Sequence, residues 1–194
     1  SGKTAVYVAL IQKALDEGRS AMLLVPEIAL TPQLLGRMTA HFGKTVAVLH
    51  SSLRVGERYD EWRRIARGEA RVVVGTRSAV FAPLQSPGLL ILDEEQEHTY
   101  KSENAPRYHA REIALYRGAK AGALVLFGSA TPSIETMYLA KTGVYTLYTL
   151  KTRYNGRALP AARLIDMKQE LRAGNDLDLS RELEEGVRDA ILDG

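Results

Sequence analysis

Cysteine is absent from the 194-residue sequence. Disulfide bonds and thiolate metal sites are therefore excluded within this chain. No apolar run approaches the roughly 20 residues that a membrane-spanning helix needs, so we expect no membrane partner. Neither sign of charge dominates, since 26 Lys and Arg stand against 23 Asp and Glu and leave a net charge of +3. This balance permits a nucleic-acid partner without requiring one, and it fits an intracellular, cytoplasmic domain.

The beginning of the sequence also lacks two common features, an initiator methionine and a segment ahead of the first motif. The chain opens on "SGKT". Gly2, Lys3 and Thr4 match the end of the phosphate-binding loop G-x-x-x-x-G-K-[ST], without its first glycine and the strand that feeds it. We therefore expect that the chain is part of a longer protein and begins inside a nucleotide-binding motif.

The apolar residues alternate between short continuous runs and helical spacing. The runs are typical of strands buried on both faces, and the spaced residues of helices that pack on a sheet. This alternation predicts an α/β fold with a doubly wound, mostly parallel sheet and helices on both faces. Thr31 and Thr131 each precede a proline, so we expect each to cap the following helix. The predicted strands are 21–25, 46–49, 71–74, 89–92 and 124–127, and the predicted helices are 4–17, 32–42, 56–67, 109–117 and 132–140.

A change of composition near residue 150 predicts a domain boundary. Residues 1–150 carry the alternating pattern, whereas 151–194 begin with a polar, basic loop. In that second part we predict a strand over 162–165 and a closing amphipathic helix to Leu192, capped by Ser180. We expect 151–194 to be a linker and the beginning of a further domain.

The stretch "LLILDEEQ" is the first candidate for chemistry. Ligands of open parallel sheets bind beyond the carboxyl ends of the strands, and Asp93 stands where a buried strand ends. A carboxylate there can hold Mg²⁺, while Glu94 can polarise an attacking water. Taken alone, this turn fits a solvated acidic surface better than a metal site. Joined to a Lys3 that meets the outer phosphates and a Thr4 hydroxyl on Mg²⁺, it predicts a nucleotide site.

Hydroxyl-bearing turns after other strands point to a second ligand. Thr76, Arg77 and Ser78 follow the third predicted strand, and nucleic-acid motors use such groups to hold backbone phosphates. Ordinary helix capping and a surface arginine remain the alternative interpretation of these residues.

Six stretches, in this order and spacing, resemble the first motor lobe of superfamily 2 DNA helicases: "SGKT", "LVPEIALTPQ", "LHSSL", "GTRSAVFAP", "DEEQ" and "GSATPS". Longer stretches, such as "YKSENAPRYHAREIALYRG", are similar to the bacterial replication-restart helicases of that superfamily. The resemblance extends through "ARLIDM". It implies a RecA-like P-loop NTPase lobe that uses ATP and Mg²⁺, with 1–150 as helicase lobe 1 and 151–194 leading into lobe 2.

The resemblance also implies which residues bind ATP, hold Mg²⁺, catalyse hydrolysis and couple ATP to DNA. The ATP-binding residues would be Gly2, Lys3 and Thr4; the Mg²⁺ ligands Thr4 and Asp93; the catalytic residues Asp93 and Glu94; and the residues coupling ATP to DNA Gln96, Ser129 and Thr131. Phosphates of single-stranded DNA would meet Thr31, Thr76 and Arg77, and those contacts would supply affinity rather than sequence specificity.

The aromatic-rich segment, residues 97–111, links DNA binding to hydrolysis in the family. Flat rings beside positive charges suit unpaired bases and phosphates. Packing at the start of the following helix is the alternative for Tyr108 and His109. The rings expected to stack are Tyr100, Tyr108 and His109, and the charges expected on phosphates are Lys101, Arg107 and Arg111.

Gln96 departs from the family, which commonly has histidine there; glutamine keeps the hydrogen bonds but cannot become cationic. The resemblance implies single-stranded and forked DNA, primosome proteins and single-stranded DNA-binding protein as partners, a nucleoid location, and translocation from three-prime to five-prime. It places a zinc module and the second lobe's arginines outside this chain. We therefore expect negligible ATPase activity from the isolated chain.

Two other functions fit the residues. The chain could come from a helicase-like DNA-binding module without hydrolysis, or from a different P-loop NTPase that acts on a small molecule.

Overall fold

The computed structural model describes residues 2–150 and 161–192. The chain divides into two compact units, Ser1–Tyr154 and Asn155–Gly194. The first unit carries the sheet and every candidate site residue. The assignment of the second part to a further helicase lobe remains a prediction.

The first unit is built on a five-stranded sheet whose paired strands all run parallel. The strand order is β2-β3-β1-β4-β5, so β1 and β3 lie inside the sheet together with β4. All five predicted strands are confirmed; β1 and β3 are buried along their whole length, whereas β5 lies at the edge of the sheet and is only partly buried. The strands are β1 (Ser20–Leu24), β2 (Val46–Leu49), β3 (Val72–Gly75), β4 (Pro87–Asp93) and β5 (Leu124–Gly128).

Helices cover both faces of the sheet, as the sequence predicts. Ile11 and Met38, from the first two helices, belong to one fully buried cluster. Ile65 and Ala114, from the next two, belong to the cluster on the opposite face. The helices of this unit are α1 (Lys3–Asp16), α2 (Pro32–Phe42), α3 (Val55–Ala66), α4 (Ala110–Ala121) and α5 (Ile134–Lys141).

The two Thr-Pro pairs behave differently. Thr31 caps α2, since its Oγ1 accepts a hydrogen bond from the Leu34 amide at 3.2 Å. Thr131 does not cap α5, so that prediction is wrong. Ser133 is the cap instead, accepting from the Thr136 amide. The reason lies in a buried contact to Ser133 described below.

The second unit contains α6 (Met167–Arg172) and α7 (Arg181–Leu192). Ser180 caps α7 through a 3.1 Å bond from the Leu183 amide, which confirms that prediction. The prediction of a strand over 162–165 is wrong, since residues 161–166 have no regular secondary structure. No helix among the described residues is long and apolar enough to cross a membrane.

Candidate nucleotide-binding site

The register of the sheet brings three chain turns to one edge. Leu24 of β1 pairs with Gly75 of β3 and with Leu92 of β4, so these strands end level with one another. Asp93 is the last residue of β4. The first turn of α1 reaches the same edge, since Lys3 contacts Asp93 there. Thr76 and the acidic turn therefore open onto one side of the molecule.

Lys3 lies between two carboxylates of the acidic turn. Its Nζ is 3.0 Å from Oδ1 of Asp93 and 2.5 Å from Oε1 of Glu94. Gly2, the N-cap of α1, brings no side chain that could satisfy the first amides of the helix. Those amides and the Lys3 ammonium are the groups that a bound phosphate requires. The structure thus brings together the lysine and acids that the sequence pairs.

The electrostatics favour the charged forms of Lys3 and Glu94 near neutral pH. Burial alone would lower the pKa of Lys3, but hydrogen bonds and charges from Glu94 and Asp93 outweigh it and raise that pKa above its ordinary value. Burial would raise the pKa of Glu94, but hydrogen bonds from Lys3 and Gln96 prevail and lower it. Glu94 is therefore a carboxylate, the form that can accept a proton from water.

Tyr7, one turn beyond Lys3 on α1, is a site residue that the sequence reasoning missed. Its hydroxyl donates to Asp93 Oδ1 at 2.7 Å, and the side chain is buried. Burial and the nearby Asp93 carboxylate raise the pKa of Tyr7, so the hydroxyl remains a donor. Gly128 of β5 leaves the room for it, because a Cβ at that position would overlap the tyrosine hydroxyl. The sequence analysis did not single out Tyr7, because nothing in the local pattern of the first helix marks a tyrosine that reaches a strand end.

A chain of hydrogen bonds leads from Glu94 to the turn after β5. Gln96 Nε2 donates to Glu94 Oε2 at 3.1 Å, and the Ser129 hydroxyl donates to Gln96 Oε1 at 2.6 Å. The Thr131 amide then donates to the Ser129 hydroxyl. The predicted coupling residues Gln96 and Ser129 are therefore in contact, whereas Thr131 joins them through its backbone.

Glu94 also has an unusual backbone. Its φ of 47° lies in the left-handed region, which residues with side chains rarely adopt. Two bonds hold the turn in place: the Glu95 amide donates to the Gly128 carbonyl at 3.1 Å, and the Glu97 amide donates to the Glu94 carbonyl at 2.9 Å. The turn is thus fixed to the end of β5.

Glu95, the third acid of the turn, is a second residue that the sequence reasoning missed. Its side chain is only 1% exposed. It accepts from the Ser133 amide at 2.7 Å and from the Ser133 and Thr136 hydroxyls, at the start of α5. Arg111 of α4 lies 3.5 Å away. This contact selects Ser133 as the cap of α5.

The oxygen atoms of this site suit Mg²⁺. Mg²⁺ keeps several waters and is usually held by one or two carboxylates together with substrate phosphates. Asp93 supplies a carboxylate, and Thr4, beside Lys3 in the first turn of α1, supplies a hydroxyl. Within residues 2–150 and 161–192, no group of three or more His, Asp or Glu could hold a metal ion by itself. The donor set therefore fits a Mg²⁺ that arrives with nucleotide phosphates.

A cleft of about 200 Å³ lies beside the site, lined by residues that include Thr76, Arg77 and Ser78. Thr76 is buried, although it lines the cleft. Arg77 donates to the backbone carbonyls of Thr99 and Lys101 at 3.1 and 2.6 Å. Arg77 therefore holds the aromatic-rich segment. Thr31 is exposed, with its hydroxyl at the start of α2.

Tyr100 is buried rather than exposed to a base. The side chain is 1% exposed, and its hydroxyl donates to the Leu24 and Asp93 carbonyls at 3.0 and 2.7 Å. The prediction that Tyr100 stacks on DNA is therefore wrong for this structure. Its ring instead fastens the aromatic-rich segment to the ends of β1 and β4. Arg111 is likewise held by Glu95 rather than displayed to phosphates.

The rest of the aromatic-rich segment forms a closed loop. Lys101 and His109 form an antiparallel bridge, and the Ser102 amide donates to the Tyr108 carbonyl at 2.8 Å. Lys101 and Arg107 are exposed. Tyr108 packs edge-to-face on Phe81, with ring centroids 4.8 Å apart, so packing is its role here. His109 caps α4 by accepting from the Arg111 amide, and burial followed by the Arg111 charge lowers its pKa.

The sheet, its strand order and the lysine and acids at its carboxyl edge define the class of RecA-like P-loop NTPase lobes. Residues 1–139 match the family described as DEAD/DEAH box helicase. The chain belongs to that family.

Relatives and solved structures agree with this class. The chain is 50% identical over 194 residues to "Replication restart protein PriA" of Bacillus subtilis (strain 168), covering 100% of this chain and 24% of that protein. It is 46% identical over 170 residues to the protein of the same name in Treponema pallidum (strain Nichols), covering 88% and 26%. RecG bound to a three-way DNA junction matches with a TM-score of 0.52 and 26% identity, covering 74% of this chain and 18% of that one. The chain thus spans about a quarter of the length of these curated relatives.

Proposed function

We propose that this chain is the ATP-binding lobe of an ATP-dependent DNA helicase that restarts stalled replication forks and translocates from three-prime to five-prime. The observation that carries the proposal is the contact of the Lys3 ammonium with the carboxylates of Asp93 and Glu94. Lys3 and Glu94 are 91 positions apart in the sequence. The similarity to proteins named for replication restart supports the particular task.

The site residues divide the chemistry of ATP hydrolysis among them. Lys3 and the amides at the start of α1 bind the phosphates, with Gly2 leaving them accessible. Thr4 and Asp93 would hold Mg²⁺, which would supply positive charge beside the phosphates. Glu94 orients the attacking water and takes its proton. Phosphate oxygens compete with the two carboxylates for the Lys3 ammonium, so nucleotide binding releases Glu94 from its ion pair.

The hydrogen-bonded chain from Glu94 through Gln96 to Ser129 connects hydrolysis to the DNA side. Glutamine stands here where the family resemblance implies histidine, so the connection runs through an uncharged Gln96 side chain that donates to the Glu94 carboxylate. Movement of the turn after β5, including Thr131, changes the bonds that hold Glu94. That is how DNA bound at the carboxyl edge would alter the rate of hydrolysis.

Single-stranded DNA would bind along the carboxyl edge of the sheet. Arg77 lines the cleft, and its Nε is buried without a hydrogen-bond partner among the described residues, so the guanidinium has an unused donor at this edge. Lys101 and Arg107 add exposed positive charge on the closed loop. Thr31 and Thr76 lie on the same side and contribute positioning rather than charge.

The remaining proposals rest on the family alone. The full-length protein would act in the bacterial cytoplasm at the nucleoid, on forked DNA, together with primosome proteins and single-stranded DNA-binding protein. A zinc module and the arginines of a second motor lobe would belong to its other parts. We propose that the chain by itself has negligible ATPase activity, because those arginines stabilise the transition state.

The test is DNA-stimulated ATP hydrolysis by the full-length protein, compared with its Lys3→Ala and Glu94→Gln variants. We expect each variant to lose at least about 100-fold in kcat, the range that positioned acid–base groups contribute. Lys13→Ala is the matched control, since Lys13 is an exposed lysine on the same helix.

Each outcome of this test has a distinct meaning. Normal hydrolysis by both variants would show that the site is elsewhere. Salt-sensitive DNA binding without any hydrolysis by the unmodified protein would favour a DNA-binding module. Hydrolysis that ignores DNA, with no DNA binding, would favour another P-loop NTPase.

A further inference from the structure

Glu95 is fully buried, yet its carboxylate has several hydrogen-bond partners. Both carboxylate oxygens are used: Oε1 accepts from the Ser133 amide at 2.7 Å, and Oε2 accepts from the Thr136 hydroxyl at 3.0 Å. Arg111 Nη1 lies 3.5 Å from Oε2 and donates to the Thr136 hydroxyl at 3.3 Å. A buried carboxylate is tolerated only when paired in this way. Glu95 thus joins the acidic turn to α4 and to α5.

Arg111 stands directly behind the closed loop. The loop ends at His109, which pairs with Lys101 and caps α4 by accepting from the Arg111 amide at 3.2 Å. Arg111 lies in the first turn of α4 and is 22% exposed on its side chain. A shift of the loop therefore moves the residue that contacts Glu95. Glu95 directly follows Glu94 in the chain, so a displacement of Glu95 is passed to the backbone of Glu94.

We propose that Glu95 is a positioning residue that transmits the position of the 101–109 loop, through Arg111, to the hydrolytic carboxylate Glu94. The inference rests on the proposed function, because it needs DNA-stimulated ATP hydrolysis. It adds a second connection beside the one through Gln96 and Ser129. The connection through Gln96 reaches Ser129, at the start of the loop after β5. Glu95 contacts Ser133, at the end of the same loop.

The chemistry of the pair explains why a carboxylate is required. Glutamine at 95 would present one oxygen and one amide group, so either the Ser133 amide or Arg111 would face a donor instead of an acceptor. Removal of the Arg111 side chain leaves Glu95 with its three donors from Ser133 and Thr136. The Arg111 variant therefore breaks the link to the loop while the start of α5 stays bonded.

The experiment measures kcat for ATP hydrolysis by the full-length protein that contains this lobe, with and without a saturating oligothymidylate. The variants are Glu95→Gln, Arg111→Ala and the double variant. We expect the ratio of the two kcat values to fall about tenfold in each single variant, within the usual range of coupling between sites. The double variant should fall no further, because both changes break one link.

Glu112→Gln is the matched control. This substitution also removes a carboxylate beside Arg111. The Glu112 side chain, however, is 66% exposed and lies 3.6 Å from Arg111 Nε, outside the buried cluster. Its ratio should stay within about twofold of the unmodified protein. Thermal unfolding identifies variants that fail to fold. If Glu95→Gln does not fold, Arg111→Ala decides the question alone.

Two results overturn the inference. An unchanged ratio in a folded Arg111→Ala variant would show that the loop does not act through Glu95. Equal losses of both rates, which keep the ratio constant, would show that the cluster only maintains structure. If the unmodified protein is not stimulated by DNA at all, the proposed function itself fails and this inference falls with it.

Discussion

Gly128→Ala is the substitution for which the structure gives the clearest expectation. Gly128 ends β5 and pairs with Asp93 of β4. A Cβ there would overlap the Tyr7 hydroxyl, lie 2.9 Å from Tyr7 Cζ and lie 3.3 Å from Asp93 Oδ1. Tyr7 is 3% exposed and cannot move outward freely. The ring must therefore shift and give up its hydrogen bond to Asp93.

The expected cost combines two effects. Overpacking a buried site typically costs about 1–3 kcal/mol. A hydrogen bond to a charged acceptor contributes about 1.5–3 kcal/mol. Since the shift of the ring relieves part of the overlap, we expect the free energy of unfolding to fall by about 3 kcal/mol rather than by the full sum.

Urea unfolding of Gly128→Ala, Tyr7→Phe and the double variant measures this. Phenylalanine at 7 removes the overlapping oxygen, so the double variant should be at least about 1 kcal/mol more stable than the sum of the single effects predicts. Gly36→Ala is the control: Gly36 is in α2 with no atom within 4 Å of the added Cβ, and alanine there should stabilise by about 0.5–1 kcal/mol. Additive effects of Gly128→Ala and Tyr7→Phe would refute the proposed overlap.

Two further substitutions separate packing from chemistry. Tyr100→Phe removes the hydroxyl that donates to the Leu24 and Asp93 carbonyls, so urea unfolding should show a loss of about 1–3 kcal/mol. The affinity for single-stranded DNA should stay the same. A weaker affinity at unchanged stability would show that Tyr100 contacts DNA. Because the pKa of Glu94 is lowered by Lys3 and Gln96, its contribution to stability is present above the ordinary value of about 4.3 and is lost as the pH falls through the lowered pKa. Glu94→Gln should therefore lose less stability than the unmodified chain when urea unfolding is repeated from pH 6 down to pH 3, and equal losses would contradict this.

The strands and the Lys3–Asp93 pairing could be predicted from the sequence because each has a strong local signal. A short apolar run such as Met22–Leu24, closed two residues later by Pro26, favours a buried strand, and a parallel sheet gathers the strand ends at one edge. Thr131-Pro132 carries the same signal as Thr31-Pro32, yet it does not cap a helix. The contact that decides this, from Glu95 to Ser133, joins residues 38 positions apart and leaves no local pattern.

Side-chain direction is what the sequence could not supply. Tyr100 and Tyr108 both lie in an aromatic-rich segment among charges, a pattern typical of base stacking. The Tyr100 hydroxyl is bound by carbonyls of β1 and β4, so the ring faces inward. Three adjacent acids present the same problem. Their pattern identifies a site but not which carboxylate faces Lys3 and which faces Arg111.

Residues 93–96 connect the acidic turn to different elements of the lobe, one side chain at a time. Asp93 contacts α1 through Lys3 and Tyr7, Glu94 contacts Lys3, Glu95 contacts α4 and α5, and Gln96 contacts the turn after β5. Because the contacts are separate, substitutions within this turn should have different effects. Under the proposed function, loss of Glu94 should abolish hydrolysis, whereas loss of Glu95 or Gln96 should reduce its response to DNA.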